Sequence, residues 1–188
     1  MAGPETLPDD LPEPVDDGTA DHLRDAKLPD VPLQATDGST VSLAALPGRI
    51  VVYAYPRTGE AGKVPNAEWD AIPGARGCTP QSCSFRDHFA ELRELGVGAV
   101  FGLSTQDSAY QREAVERLHL PFALLSDEHL ALTKAAGLPT FVFNGMTLIR
   151  RMSFVIDDGR VTQLFYPVFP PDRSAADVVG WLRANPAP

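Results

Sequence analysis

The chain carries two cysteines, and both fall in the run Gly77-Cys78-Thr79-Pro80-Gln81-Ser82-Cys83-Ser84-Phe85-Arg86-Asp87. Cys78 stands where a Gly-rich stretch gives way to a helical pattern, so its thiol is expected at a helix N-terminus. Thiols in that position are favoured as thiolates, the nucleophilic form. Cys83, inside the same pattern, offers an oxidised sulfur a second thiol to react with. The chemistry implied is thiol redox chemistry.

Magnitudes say what else is needed. A free thiol, with a pKa near ~8.5, is about 3% thiolate at pH 7, so complete ionisation raises its reactivity at most ~30-fold. Cleaving a peroxide bond takes more, namely donors fixed where charge develops. An arginine and a hydroxyl are therefore sought beside Cys78. Helix geometry places residues five apart about 8.5 Å from each other at Cα, whereas a disulfide needs less than about 7 Å. Pairing of Cys78 with Cys83 thus requires the first turns of the helix to unwind, an order–disorder switch. The plainer reading is that both are buried, inert thiols.

The elements that position these residues follow from pattern. Ile50 to Tyr55 is a continuous apolar run, as expected of a buried central strand, and Pro56 ends it. Residues 57–77 read as a long loop with four glycines, two prolines and Trp69; loops of that length are usually functional. Phe85, Phe89, Leu92 and Leu95 repeat at helical spacing, which predicts a helix from Cys78 to Leu95, stopped by Gly96. Strand Val97–Leu103, helix Ser108–His119, extended segment Pro121–Leu125 and helix Asp127–Ala136 come next. Asp37-Gly38, Asn144-Gly145 and Asp157-Asp158-Gly159 mark hairpin turns. A final helix, capped by Ser174, runs to Ala184. Strands alternating with helices, closed by paired strands and a helix, predict an α/β sandwich with a mixed sheet of thioredoxin-type topology and an N-terminal hairpin extension.

Composition bounds the partners. The 188 residues carry a net charge of −9, which argues against nucleic acid. Residues 1–30 alone hold nine acidic and two basic side chains and five prolines. Residues 1–28 are therefore expected to be an acidic, Pro-rich flexible arm, followed by one domain over 29–188. No export signal and no membrane-spanning run is read from the sequence, so a cytoplasmic protein is expected. No metal-ligand spacing is present, and neither metal nor cofactor is expected. His22, His88, His119 and His129 are scattered and are given no role.

Several segments together carry a family resemblance. Tyr55-Pro56, the Gly77–Asp87 run, Gly102-Leu103-Ser104 and Leu120-Pro121-Phe122-x-Leu124-Leu125-Ser126-Asp127 resemble the peroxiredoxins, most closely the bacterioferritin-comigratory-protein (PrxQ) type, across residues 30–184. The resemblance implies that Cys78 is the peroxidatic cysteine, oxidised by hydroperoxide to a sulfenic acid. It implies that Cys83 resolves this into an intramolecular Cys78–Cys83 disulfide, which thioredoxin or a similar dithiol reduces. The family arginine precedes a Ser-Phe-x-Ile-Asp segment, which makes Arg151 the expected counterpart; Arg150 would face the other side of a strand. Pro56 matches the proline that shields the site.

One departure bears on activity. The family pattern is Pro-x-x-x-Thr-x-x-Cys, but Ala75 stands three residues before Cys78 and Pro56 lies 22 residues upstream. Residues 57–77 read as an insertion into the motif. Thr58 is the first candidate for the missing hydroxyl and Thr79 the second; Pro73 could replace Pro56 but has no threonine after it at the right spacing. Trp69 on the insertion is a candidate wall of a lid or substrate pocket. The expected function is a thiol-dependent peroxidase acting on hydrogen peroxide or organic hydroperoxides. The alternatives are a thiol–disulfide oxidoreductase and a redox-switch protein of the same fold. A resolving thiol on the same helix needs no second subunit, so a monomer is expected.

Overall fold

A computed structural model of the chain describes residues 7–60, 63 and 66–187. A 3-10 turn at Asp21–Leu23 leads to a short hairpin, β1 (Leu33–Ala35) and β2 (Thr40–Val41). β3 (Arg49–Ala54) is followed by the one-turn helix α1 (Ala67–Asp70), then α2 (Cys78–Asp87) and α3 (Phe89–Glu94). The middle of the chain alternates β4 (Ala99–Ser104), α4 (Ser108–Leu118), β5 (Leu124–Ser126) and α5 (Ala131–Ala136). The hairpins β6–β7 (Thr140–Phe143, Met146–Ile149) and β8–β9 (Met152–Asp157, Arg160–Phe165) lead into α6 (Ser174–Ala184).

Seven strands form one mixed sheet in the order β2-β1-β5-β4-β3-β8-β9, and β6–β7 form a separate ribbon. β3 pairs in parallel with β4 and antiparallel with β8. All of its residues are buried, as its unbroken apolar run predicts. Its side chains alternate between two layers. Ile50, Val52 and Ala54 pack with Leu103, Phe154 and Ile156. Val51, Tyr53 and Tyr55 pack with Cys78, Phe85 and Val178. This is the thioredoxin-type α/β sandwich expected. Among the described residues no helix is long and apolar enough to cross a membrane.

Three expectations are corrected. The arm expected over 1–28 is docked in its second half; residues 1–6 lie outside the described residues. Ala20, Leu23 and Leu28 are buried in the first layer, and the amides of Asp25 and Leu28 donate to the Val161 and Gly159 carbonyls at 3.0 and 2.9 Å. The reason is coverage. The second layer draws on α2, α3, α4 and α6, whereas the first draws its helical cover from α5, so the few apolar residues of an acidic segment complete it. The helix expected over Cys78–Leu95 breaks at His88 (φ −96°, ψ 4°), where ring Nδ1 lies 2.9 Å from the Ser84 carbonyl that also receives the His88 amide. The helix expected from Asp127 starts at Ala131, because the Asp127 carboxylate turns back to accept from the amides of Leu132 and Thr133 at 3.0 and 2.7 Å. The 57–77 segment also holds structure of its own, α1, whose N-cap Asn66 accepts from the Glu68 amide at 2.9 Å. Residues 61, 62, 64 and 65 of that segment lie outside the described residues.

Candidate active site

α2 begins at Cys78 directly after Gly77, whose φ of 105° and ψ of 22° lie in the left-handed region. A Cβ on Gly77 would sit 2.2 Å from Pro171 Cγ, so no other residue fits this approach to the helix. Cys78 is 3% exposed. Its Sγ accepts from the Arg57 amide at 3.4 Å and from Arg151 Nη2 at 3.2 Å. It also lies 3.6 Å from the Ala75 carbonyl, the acceptor a protonated thiol would use.

Arg151 occupies the two-residue link between β7 and β8 and is 3% exposed. Nε donates to the Gly74 carbonyl at 3.2 Å, Nη2 to the Ala75 and Arg76 carbonyls at 3.1 Å each, and Nη1 to Gln81 Oε1. Gln81 Nε2 in turn donates to Ser174 Oγ at 3.2 Å. The guanidinium is thus fixed from three sides, and among the described residues it has no carboxylate partner. A buried cation without a counter-charge is costly. The acceptors around Arg151 are dipoles, with one exception: the Cys78 sulfur can carry a full negative charge. Arg150, the residue before it, lies over the Phe141 ring, 6.0 Å from its centroid.

The other flank of Cys78 is built by residues 56–58. Pro56 is buried at the end of β3 and Thr58 is fully buried. Gln106 Oε1 accepts from both the Thr58 amide at 3.1 Å and Thr58 Oγ1 at 3.3 Å. The direction of this bond follows from chemistry: an amide N–H can only donate, so the Gln106 atom facing it is the oxygen, and the hydroxyl facing that same oxygen must also donate. Thr58 therefore spends its proton on Gln106 and keeps its lone pairs for other donors. The Thr58 carbonyl accepts from Tyr110 Oη at 2.9 Å, which pins the turn to α4.

A pocket of about 180 Å³ opens over Cys78. Thr58 and Thr79 share its lining with Cys78, and Trp69, Arg76 and Phe143 form its outer wall. Cys83 is partly buried and packs against the second layer; neither cysteine is in a disulfide. The helix between the two thiols is anchored through polar groups. Tyr53 Oη donates to Ser82 Oγ at 3.1 Å, Gln81 links Arg151 to Ser174, and Thr79, Gln81 and Ser82 are all buried. Phe85 is its firm apolar anchor, stacked on Tyr53 with centroids 4.5 Å apart and planes 7° from parallel. Burial pushes the phenol pKa values of Tyr53 and Tyr55 up, so both stay protonated and neither is a base. Among the described residues no group of acidic, histidine or cysteine side chains could hold a metal. His22 lies on the Ala136 carbonyl and His88 on that of Ser84, neither of them at the Cys78 sulfur.

Cys78, Thr58 and Thr79 therefore line one pocket, Arg151 reaches the Cys78 sulfur from beneath it, Pro56 is buried next to the pocket-lining Arg57, and Cys83 stands further along the same helix. Sequence reasoning missed Gln81, Gln106, the Arg57 amide and Phe143. Gln81 had a signal, since three residues after Cys78 is the same helix face. The other three had none.

The Redoxin family model matches residues 23–179. A chloroplastic peroxiredoxin Q of Oryza sativa subsp. japonica is 34% identical over 158 residues, 83% of this chain and 64% of that protein. A chloroplastic peroxiredoxin Q of Populus jackii is 35% identical over 139 residues, 73% of this chain and 57% of that protein. The chain thus spans a little under two thirds of the length of these curated relatives. Peroxidoxin BcpB of Mycobacterium tuberculosis superposes with a TM-score of 0.69 at 25% identity, covering 86% of this chain and 97% of that one. Peroxiredoxin Q of Xanthomonas campestris shares the fold, with a TM-score of 0.67 at 24% identity over 86% of this chain and 98% of that one.

Proposed function

This chain belongs to the redoxin family as a peroxiredoxin of the Q type, and from that premise we propose that it is a thiol-dependent peroxidase. The observation that carries the reading is the buried Arg151 guanidinium, which has the Cys78 sulfur beside it and, among the described residues, no carboxylate. Cys78 acts as thiolate and attacks the terminal, proton-bearing oxygen of a hydroperoxide. The O–O bond breaks, the leaving oxygen departs as alkoxide or hydroxide and takes up a proton, and Cys78 becomes a sulfenic acid. Arg151 and the Arg57 amide stay aimed at the reacting atoms as charge moves from sulfur to the leaving oxygen. Thr58, its own proton committed to Gln106, accepts from the hydroperoxide O–H and fixes which oxygen faces the sulfur. Pro56 backs this turn and keeps water from the sulfur; Thr79 is the reserve hydroxyl.

Cys83 completes the cycle. Its thiol attacks the sulfenic sulfur, water leaves, and a Cys78–Cys83 disulfide forms; a dithiol such as thioredoxin then returns two electrons. The step needs the start of α2 to unwind, since an intact helix holds the two Cα atoms about 8.5 Å apart. The polar anchoring of that turn fits this, because a single hydrogen bond contributes only about 1 kcal/mol net. Both thiols lie on one helix, so the reading includes a monomer. The reading also includes a cytoplasmic setting, where thioredoxin and glutathione keep thiols reduced. The Xanthomonas campestris bacterioferritin comigratory protein, a structural neighbour, has alkyl peroxide reduction activity, in line with this substrate range.

One experiment tests the proposal and its alternatives. Reduced protein is mixed with one equivalent of hydrogen peroxide and followed by quenched-flow intact mass. The expected result is a fast loss of two hydrogens. Cys78→Ser should abolish the reaction, and Cys83→Ser should gain one oxygen and stop. Reaction no faster than that of a free thiol would move the assignment to thiol–disulfide exchange or to a redox switch.

A further inference from the structure

The pocket over Cys78 is larger than hydrogen peroxide needs, and two aromatic rings make one part of its outer wall. Trp69, carried by α1 of the insertion, lies edge-on to Phe143 with centroids 5.1 Å apart and tilted against Phe141 at 6.0 Å. Two parts of the chain distant in sequence, the insertion and the β6–β7 ribbon, thereby make one apolar surface facing the thiol. Its volume of about 180 Å³ is the size of cavity that takes up a benzene ring, about 150 Å³. Each of the three cations that line it already faces a carboxylate: Arg76 Nη1 lies 3.1 Å from Asp70, and Arg57 and Lys63 share Glu60, Arg57 Nη2 at 3.5 Å. An anionic head group would have to compete with those carboxylates.

Resting on the peroxidase reading above, we propose that this pocket selects compact, uncharged aryl-alkyl hydroperoxides, and that Trp69 and Phe143 are the specificity-determining residues. The ring of such a substrate covers the Trp69–Phe143 wall while its O–H meets Thr58 and its terminal oxygen meets Cys78. Hydrogen peroxide reaches the same inner groups but leaves the wall uncovered, so the preference lies in binding and not in the chemistry at sulfur.

The test measures the second-order rate constant of Cys78 oxidation by quenched flow and intact mass. Cumene hydroperoxide, hydrogen peroxide and a long-chain fatty-acid hydroperoxide are compared. Wild type should react faster with cumene hydroperoxide than with either of the others. Trp69→Ala and Phe143→Ala should each slow cumene hydroperoxide about tenfold relative to hydrogen peroxide, while Trp69→Phe, which keeps a ring, should retain the preference. Equal losses on cumene hydroperoxide and hydrogen peroxide would make the wall merely structural and overturn the inference. So would no loss on either, or a faster reaction with the anionic hydroperoxide. Wild-type protein that is slow with every hydroperoxide would instead overturn the peroxidase reading, and this inference with it.

Discussion

Two buried arginines sit at opposite ends of β8, and they are treated differently. Arg49, 7% exposed, faces the far end of the strand and makes a two-pronged contact with Asp157 at 2.7 and 2.9 Å. Its Nη1 donates to the Asn185 carbonyl at 2.6 Å. Arg151, 3% exposed, sits just before the near end among four neutral acceptors and one sulfur. The first arginine is neutralised by a fixed carboxylate, and its work is structural. The second is held just as firmly, but its counter-charge is left to the Cys78 sulfur, the group that reacts on the function proposed above. A buried guanidinium without a carboxylate is expensive, so its presence points to a partner whose charge is made and consumed in the reaction cycle.

The sharpest way to break this contrast is to remove each arginine's function in turn. Arg151→Leu should lower the rate constant for peroxide oxidation of Cys78 by about 10²–10³, the usual cost of losing a donor aimed at developing charge. Arg151→Lys should restore only part, because a point charge cannot span Gln81, three carbonyls and the sulfur at once. Stability falls too, so the rate is normalised to folded protein. A stability loss with an unchanged rate would make Arg151 as structural as Arg49 and end the comparison.

At the other end, Asp157→Asn should leave the oxidation rate unchanged and cost about 3 kcal/mol of stability, the low end for breaking a buried pair. A pH profile gives a second readout. Arg49, hydrogen-bonded to the carboxylate, holds the Asp157 pKa below its ordinary value. The stability this supplies is complete above the ordinary carboxylate pKa, about 4, and is lost as pH falls through the lower folded value. Urea midpoints measured down this range should show that part of the acid sensitivity in wild type and lack it in Asp157→Asn.

The contrast also shows what the chain made legible. Cys78 and Cys83 stand out through local spacing at the start of one helix, and the family resemblance of the Ser153–Asp157 segment singled out Arg151, which the structure places on the Cys78 sulfur. The β3 run and the Asn144-Gly145 turn are equally local signals. What stayed hidden depends on residues far apart in sequence. Gln106 reaches Thr58 across 48 positions, and Arg49 reaches Asp157 across 108. The docked arm was hidden for another reason. Ala20, Leu23 and Leu28 follow no helical or strand period, and the acidic residues around them read as solvated until the uncovered face of the sheet is known.

The smallest expected effect lies on the insertion side of Cys78, where the contrast between fixed and reactive partners meets a single hydroxyl. Thr58→Val keeps shape and volume but removes the acceptor that orients the hydroperoxide, and leaves Gln106 Oε1 with the Thr58 amide alone. One hydrogen bond of about 1–1.5 kcal/mol net corresponds to about a tenfold loss in rate. Thr58→Ser, which restores the hydroxyl, should recover most of it, and Gln106→Leu should behave like Thr58→Val because it releases the Thr58 proton toward the pocket. A Thr58→Val protein that oxidises at the wild-type rate would shift the role to Thr79, whose own valine variant would then show the loss. A loss as large as that of Arg151→Leu would mean that the hydroxyl carries the reaction as much as the charge does. The insertion would then be part of the catalytic framework as well as the wall of the pocket.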